Sequence, residues 1–227
     1  MNDKINISVI IPVYNEETTC YEIINKVKRI KLVKEIIVVD DASNDTTFEI
    51  LNTIDDINVV KHDKNMGKGA AVRTGLKHVK YDYVITQDAD LEYYPEDFYM
   101  LSEKISKIKT EVVYGSRWMG KPIELSLHYL VNQMINLFSN VFNGILLTDM
   151  PTCYKLMPTS LLKSLNIKSN GFGIDAEITA KLSRKNVLIK EVPIQYSKRS
   201  KKSGKKLRLY DGLIAAWTCF RYSFIEK

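Results

Sequence analysis

Short runs rich in valine and isoleucine alternate with stretches of helical pattern through the first half of the chain, and this alternation restricts the fold more than any other feature. It predicts an α/β architecture, a mostly parallel central sheet covered by helices. Strands are expected at Ile5 to Ile11, Glu35 to Val39, Asn58 to Lys61, Tyr83 to Thr86 and Glu111 to Tyr114. Helices are expected to start near Glu17, Asp45, Gly67 and Pro95, with Asn15, Ser43 and Asn65 nearby as turn or capping residues. After Tyr114 the rhythm changes. Residues 125–147 form one long, largely apolar helical pattern, which periodicity reads as a core helix, with an apolar surface for a lipid chain as the alternative. Gly171 to Arg184 reads as a loop entering a helix, Val187 to Gln195 as a strand, and Leu207 to Phe224 as a terminal helix.

In open sheets of this kind ligands bind beyond the carboxyl ends of the strands, and the polar residues collect there. Tyr14, Asn15 and Glu16 follow the first strand, Asp40 and Asp41 the second, and Asp88 and Asp90 the fourth. The stretch from Tyr81 to Asp97 is the most informative, because its apolar strand ends in Asp88, Asp90 and Glu92 at alternate positions. Carboxylates this close repel one another unless a cation lies among them. Their hard oxygens suit Mg²⁺ or Mn²⁺, ions that keep open positions for substrate phosphates. A solvated acidic turn is the plainer alternative, but three polar strand ends on one edge favour a site.

Length and charge narrow the function further. The 227 residues suffice for a substantial core, and the 33 basic against 27 acidic residues leave a net charge of +6. The excess is clustered: Lys198, Arg199, Lys201, Lys202, Lys205, Lys206 and Arg208 have no acidic residue among them, a patch suited to phosphates, anionic lipid or nucleic acid, or else a solvated loop. Cys20, Cys153 and Cys219 lack metal-ligand spacing and are odd in number, which argues against a disulfide framework and for a reducing compartment. The start of the chain does not read as a signal peptide, and no run reaches the ~18 apolar residues of a spanning helix, so a soluble or peripheral protein is expected.

Six segments in order, PVYNEE (Pro12 to Glu17), VVDDASND (Val38 to Asp45), NMGKGAAVRTGL (Asn65 to Leu76), QDADLEYYPED (Gln87 to Asp97), YGSR (Tyr114 to Arg117) and TDMPTCYKL (Thr148 to Leu156), resemble the family-2 inverting glycosyltransferases of GT-A fold. Within that family the chain is most similar to the dolichyl- and polyprenyl-phosphate sugar transferases, dolichyl-phosphate mannosyltransferase among them. The resemblance implies a Rossmann-like catalytic domain over 1–195, with a donor half of about 1–117 and an acceptor half of about 118–195, followed by a basic acceptor loop and amphipathic helix over 196–227. It assigns Asp88 and Asp90 to nucleotide and metal, with Glu92 at a position where the lipid-phosphate transferases often carry a glutamine. It places Pro12, Tyr14, Glu16 and Asp41 around base and ribose. Gly67-Lys68-Gly69 resembles a phosphate cradle without the full Walker spacing, with Lys68 as a nucleotide contact and the glycines as backbone fit. Arg117 matches an arginine that grips the acceptor phosphate, and a guanidinium fork suits that task. His128 and Asn132, four apart on one helix, are acceptor candidates where a second arginine of the family is missing. Arg199 and Lys205 fall in the acceptor loop. Asp175 lies where hydroxyl-acceptor relatives carry a base; with an ionised phosphate acceptor it would orient the acceptor instead, and a helix-start acid stabilised by the dipole is the plainer reading.

The implied reaction is inverting, metal-dependent transfer of a hexose from GDP-mannose or UDP-glucose to a polyprenyl phosphate, on the cytoplasmic face of a membrane where the protein would be peripheral. A separate membrane-anchoring subunit is compatible with this, and no nucleic-acid partner is expected. The alternatives are transfer to a glycan or protein hydroxyl with Asp175 as base, and a non-catalytic nucleotide- or RNA-binding module.

Overall fold

The computed structural model describes residues 5–108, 111–122, 126–198, 217–218 and 220–222. Arg199, Lys205 and the rest of the basic run after Lys198 lie outside the described residues, as do most of the expected terminal helix and the His128 side chain.

The elements in order are β1 (Ile7–Val13), α1 (Cys20–Lys28), β2 (Val33–Asp40), α2 (Thr47–Leu51), β3 (Asn58–Lys61), α3 (Lys68–His78), β4 (Tyr83–Thr86), a 3-10 turn (Pro95–Asp97) running into α4 (Phe98–Ile108), β5 (Val112–Ser116), α5 (Leu127–Asn143), β6 (Lys155–Pro158), α6 (Thr159–Ser164), α7 (Ile174–Arg184) and β7 (Ile189–Pro193). The described strands form one seven-stranded sheet in the order β3-β2-β1-β4-β6-β5-β7. Strands β3, β2, β1 and β4 are parallel, as are β5 and β7; β6 runs antiparallel to both its neighbours. The expected α/β architecture with a mostly parallel sheet is the one present. Strand β6 was not expected, and it inserts a strand from beyond residue 117 between two that precede it.

Side-chain alternation splits the core into two layers. Ile7, Val9, Ile11 and Val13 of β1 pack with Ile23, Ile24 and Val27 of α1 and Phe98 and Leu101 of α4. Ile10, from the same strand, faces the other way into a layer with Val72 and Leu76 of α3, Ile135 of α5 and Ile178 and Leu182 of α7. A strand covered on both faces explains the reading ISVIIPV, apolar except for Ser8.

Three boundaries moved for local reasons. The first strand continues through Pro12, past the expected end at Ile11, because β4 pairs with β1 only as far as Ile10 and Pro12 therefore needs no N–H on that side. Helix α1 starts at Cys20 rather than near Glu17, since the Glu16 N–H is bonded to Thr47 Oγ1 at 2.9 Å and the Glu17 carboxylate accepts from Thr46 Oγ1 at 2.7 Å. Helix α5 has a buried face and a bare one: Ile135, Asn136 and Ser139 are buried, while Leu130, Met134, Leu137, Phe138 and Val141 are exposed. The core-helix expectation thus holds for one face only. Ser126 caps the helix, accepting from the Tyr129 N–H at 3.2 Å, and Gly144 ends it at φ 62°.

Candidate active site

The loops after β1 and β2 brace each other. Asn15 donates its N–H to Ser43 Oγ at 2.9 Å and accepts from the Asn44 N–H at 2.9 Å, while Glu16 accepts from the Thr19 hydroxyl at 2.8 Å. Tyr14 sits half-buried at the head of this loop, two residues after the half-buried Pro12. Asp41 is buried and heavily engaged: its carboxylate accepts from the Met66 and Gly67 N–H groups at 2.9 and 2.7 Å and meets His62 Nδ1 at 2.7 Å. His62 is anchored in turn through Nε2 to Thr74 Oγ1 at 2.9 Å. Asp41 therefore ties the end of β2 to the start of α3, a framework task that the sequence alone did not disclose.

Asp88, just beyond β4, accepts from Lys68 Nζ at 2.6 Å. Burial works against the Lys68 charge, yet Asp88, with Asp175 further off, holds its pKa well above the ordinary lysine value. Asp90 follows on the same loop and accepts from the Glu92 N–H at 3.1 Å. The Glu92 carboxylate is turned to the Tyr196 hydroxyl, which donates to it at 2.6 Å, and the Ser197 N–H donates to the Glu92 carbonyl at 2.9 Å. Among the described residues no three His, Cys, Asp or Glu side chains converge on a common point as a ready metal cage. Asp88 and Asp90 still fit a hard cation that takes one or two carboxylates and completes its shell with phosphates and water.

Asp175, near the start of α7, is paired with the buried Lys155 ammonium at 2.5 Å, and Lys155 also bonds the Thr152 carbonyl. Lys68, Thr86, Lys155 and Asp175 share a cavity of about 20 Å³, room for a single water. Cys153 is buried alongside; burial, reinforced by Asp88, pushes its thiol pKa up, which disfavours the thiolate.

Arg117 is 6% exposed and clamped by Asp149, which is fully buried. Nε–H and an Nη2–H donate to the two carboxylate oxygens at 2.8 and 2.7 Å, and the Arg117 backbone N–H donates to the same group at 2.8 Å. Tyr93, Trp118 and Tyr196 ring the guanidinium at 6.0, 5.4 and 5.2 Å. One edge of the fork expected to grip the acceptor phosphate is thus already taken by a carboxylate. Beside it, Trp118 Nε1 is buried with no hydrogen-bond partner among the described residues. The loop carrying Asp149 is held by α5, where Asn136 accepts from the Met150 N–H at 2.9 Å and Asn140 accepts from the Leu147 N–H at 3.0 Å. Glu191 of β7 accepts from the Asp149 N–H at 3.0 Å. Asn132, on the same helix, is half-buried.

The Gly67-Lys68-Gly69 element is a docking seat for backbone. A Cβ on Gly69 would lie 2.2 Å from the Ser169 carbonyl oxygen, and one on Gly67, at φ 94°, would lie 2.5 Å from that of Asn170. The Asn170 carbonyl accepts the Ala70 N–H at 3.0 Å, so that donor at the head of α3 is used within the chain. Arg73 bonds the Lys168 and Ser169 carbonyls, and Glu177 of α7 accepts the N–H groups of the same two residues, each at 2.7 Å.

The sequence profile described as "Glycosyl transferase family 2" matches residues 8–165. The chain belongs to glycosyl transferase family 2. This family-2 chain is 28% identical over 220 residues to the UDP-N-acetylglucosamine–dolichyl-phosphate N-acetylglucosaminyltransferase of Methanococcus voltae, covering 86% of each. It is 32% identical over 152 residues to the undecaprenyl-phosphate 4-deoxy-4-formamido-L-arabinose transferase of Pseudomonas fluorescens, covering 63% of this chain and 44% of that one. Among solved structures, glucosyl-3-phosphoglycerate synthase of Mycobacterium tuberculosis, in complex with Mn²⁺, UDP-glucose and phosphoglyceric acid, superposes with a TM-score of 0.76 at 19% identity, over 98% of this chain and 81% of that one. That likeness establishes the GT-A fold of this family-2 glycosyltransferase.

Proposed function

We propose that the chain transfers a sugar from a nucleotide sugar to a polyprenyl phosphate with inversion, the acceptor oxygen attacking the anomeric carbon opposite the leaving diphosphate. One observation carries the reading: in a chain of this family, β4 ends in Asp88 and Asp90 with the Lys68 ammonium 2.6 Å from Asp88, so carboxylates for a divalent ion adjoin a cation for phosphate. Mg²⁺ or Mn²⁺ held by Asp88 and Asp90 would act as a Lewis acid on the leaving diphosphate. The chain's own groups do the rest. Pro12, Tyr14 and Glu16 border the nucleotide, and Asp41 shapes their floor. Lys68 neutralises phosphate charge. Arg117 faces the acceptor phosphate with the N–H groups that Asp149 leaves over, supported by Trp118 Nε1–H, with Asn132, His128, Arg199 and Lys205 as further acceptor contacts. A phosphate acceptor is already ionised, and the pairing of Asp175 with Lys155 supports an orienting role over that of a base. The dolichyl- and undecaprenyl-phosphate substrates named for two relatives support the lipid acceptor.

No described helix is long and apolar enough to cross a membrane. The bare face of α5 supports meeting the lipid at a cytoplasmic membrane surface instead: Leu137 is 60% and Val141 67% exposed. Exposed Phe220 extends that face, its ring 6.0 Å from Phe142, and exposed Trp217 lies beside it. A basic run just ahead of Trp217 suits anionic headgroups.

The test is nucleoside diphosphate release from GDP-mannose, UDP-glucose and UDP-N-acetylglucosamine, with and without polyprenyl phosphate. Release with one donor that depends on the lipid is expected. Release driven equally by a sugar hydroxyl acceptor, and lost in Asp175→Asn, would favour the hydroxyl-acceptor reading.

A further inference from the structure

Asp88 already pairs with one cation and is suited to a second. Its Oδ1 is 2.6 Å from Lys68 Nζ, and the same carboxylate is one of the pair suited to the divalent ion. An ammonium and a divalent ion on one carboxylate repel each other and compete for its lone pairs, the more so in a partly enclosed site. Asp175, the other acid acting on Lys68, is already neutralised by buried Lys155 at 2.5 Å. The start of α3 cannot retreat to relieve the conflict, because Gly69 and Arg73 lock it against residues 168–170. Any adjustment therefore falls to the flexible Lys68 stem.

We propose that Lys68 is an internal counter-ion that makes metal and nucleotide binding depend on each other: the ammonium occupies Asp88 until a diphosphate draws it away, and that release frees the carboxylate for the ion. The inference rests on the nucleotide-sugar reading of the site and concerns the coupling of its two ligands, independent of the acceptor. By linkage the coupling is reciprocal, so whatever factor the nucleotide adds to metal affinity, the metal adds to nucleotide affinity.

Mn²⁺ binding to the full chain, followed by the electron paramagnetic resonance of the free ion, tests this with and without UDP or GDP. In the wild type the nucleotide that binds is expected to tighten Mn²⁺ about tenfold or more. Lys68→Met is expected to tighten Mn²⁺ severalfold in nucleotide-free protein and to narrow the difference that nucleotide makes. Unchanged or weaker Mn²⁺ binding in folded Lys68→Met overturns the proposal. So does equal affinity with and without nucleotide in the wild type, a comparison that needs no variant. Asp88→Asn separates the layers: if it leaves Mn²⁺ binding intact, the metal reading fails with the inference, whereas its loss beside an unchanged Lys68→Met removes the counter-ion alone.

Discussion

Asp149 holds Arg117 by three hydrogen bonds, two from the guanidinium edge and one from the arginine's own backbone N–H, inside a ring of three aromatic side chains. Burial alone would lower the Arg117 pKa; Asp149 more than offsets it and keeps the side chain charged. Removing the carboxylate leaves that charge buried and unpaired. Asp149→Ala is expected to cost about 3–5 kcal/mol in a denaturant titration. Arg117→Lys keeps the charge but loses the fork, so transfer should fall well beyond what its loss of stability explains; equal activity would remove Arg117 from the acceptor site.

Gly69 has no room for a methyl group, since the Ser169 carbonyl is backbone and cannot turn aside. Gly69→Ala should cost more than about 2 kcal/mol, by overpacking and loss of the Ala70–Asn170 bond. Hydrogen exchange should show faster opening of residues 168–170, and an unchanged exchange pattern would contradict the docking role.

Glu177 links pH to stability. Burial pushes its carboxyl pKa up, but the Lys181 ammonium at 2.5 Å and the Lys168 and Ser169 N–H groups outweigh that and bring it below the ordinary glutamate value. A depressed folded pKa stabilises above the unfolded value, and the contribution is lost as pH falls through the folded one. Glu177→Gln should therefore destabilise by about 2 kcal/mol at pH 7, with the gap to wild type closing below about pH 4. A gap independent of pH would mean the charge is irrelevant.

The bare α5 face predicts a separation of binding from folding. Leu137→Glu and Val141→Glu, both at exposed positions, should change the melting temperature little while weakening co-sedimentation with vesicles containing anionic lipid. Vesicle binding that survives both changes would move the membrane contact elsewhere.

Much of this was legible before the structure. Strands β3 and β4 begin and end where the valine and isoleucine runs do, and the polar ends of β1, β2 and β4 do collect on one sheet edge. Strand β6 escaped notice because Lys155-Leu156-Met157-Pro158 is four residues long, carries a charged residue and ends in proline. What stayed hidden was pairing over long sequence separations. Nothing near Arg117 in sequence announces Asp149, nothing near Asp175 announces Lys155, and nothing near Glu92 announces Tyr196. The glycines of the Gly67-Lys68-Gly69 element were legible as backbone fit, but not their partner, the Ser169 and Asn170 backbone about a hundred residues downstream. The split of α5 into a buried and a bare face follows from which neighbours the fold supplies, which periodicity does not encode.

Sugar transfer to a lipid phosphate can be followed by incubating the chain with a radiolabelled nucleotide sugar, polyprenyl phosphate and Mn²⁺, then partitioning the products between chloroform and water. Label is expected in a chloroform-soluble, mild-acid-labile product, and Asp90→Ala should abolish it. Label that reaches only water-soluble glycan, or none at all with any donor tried, would contradict transfer to a lipid phosphate.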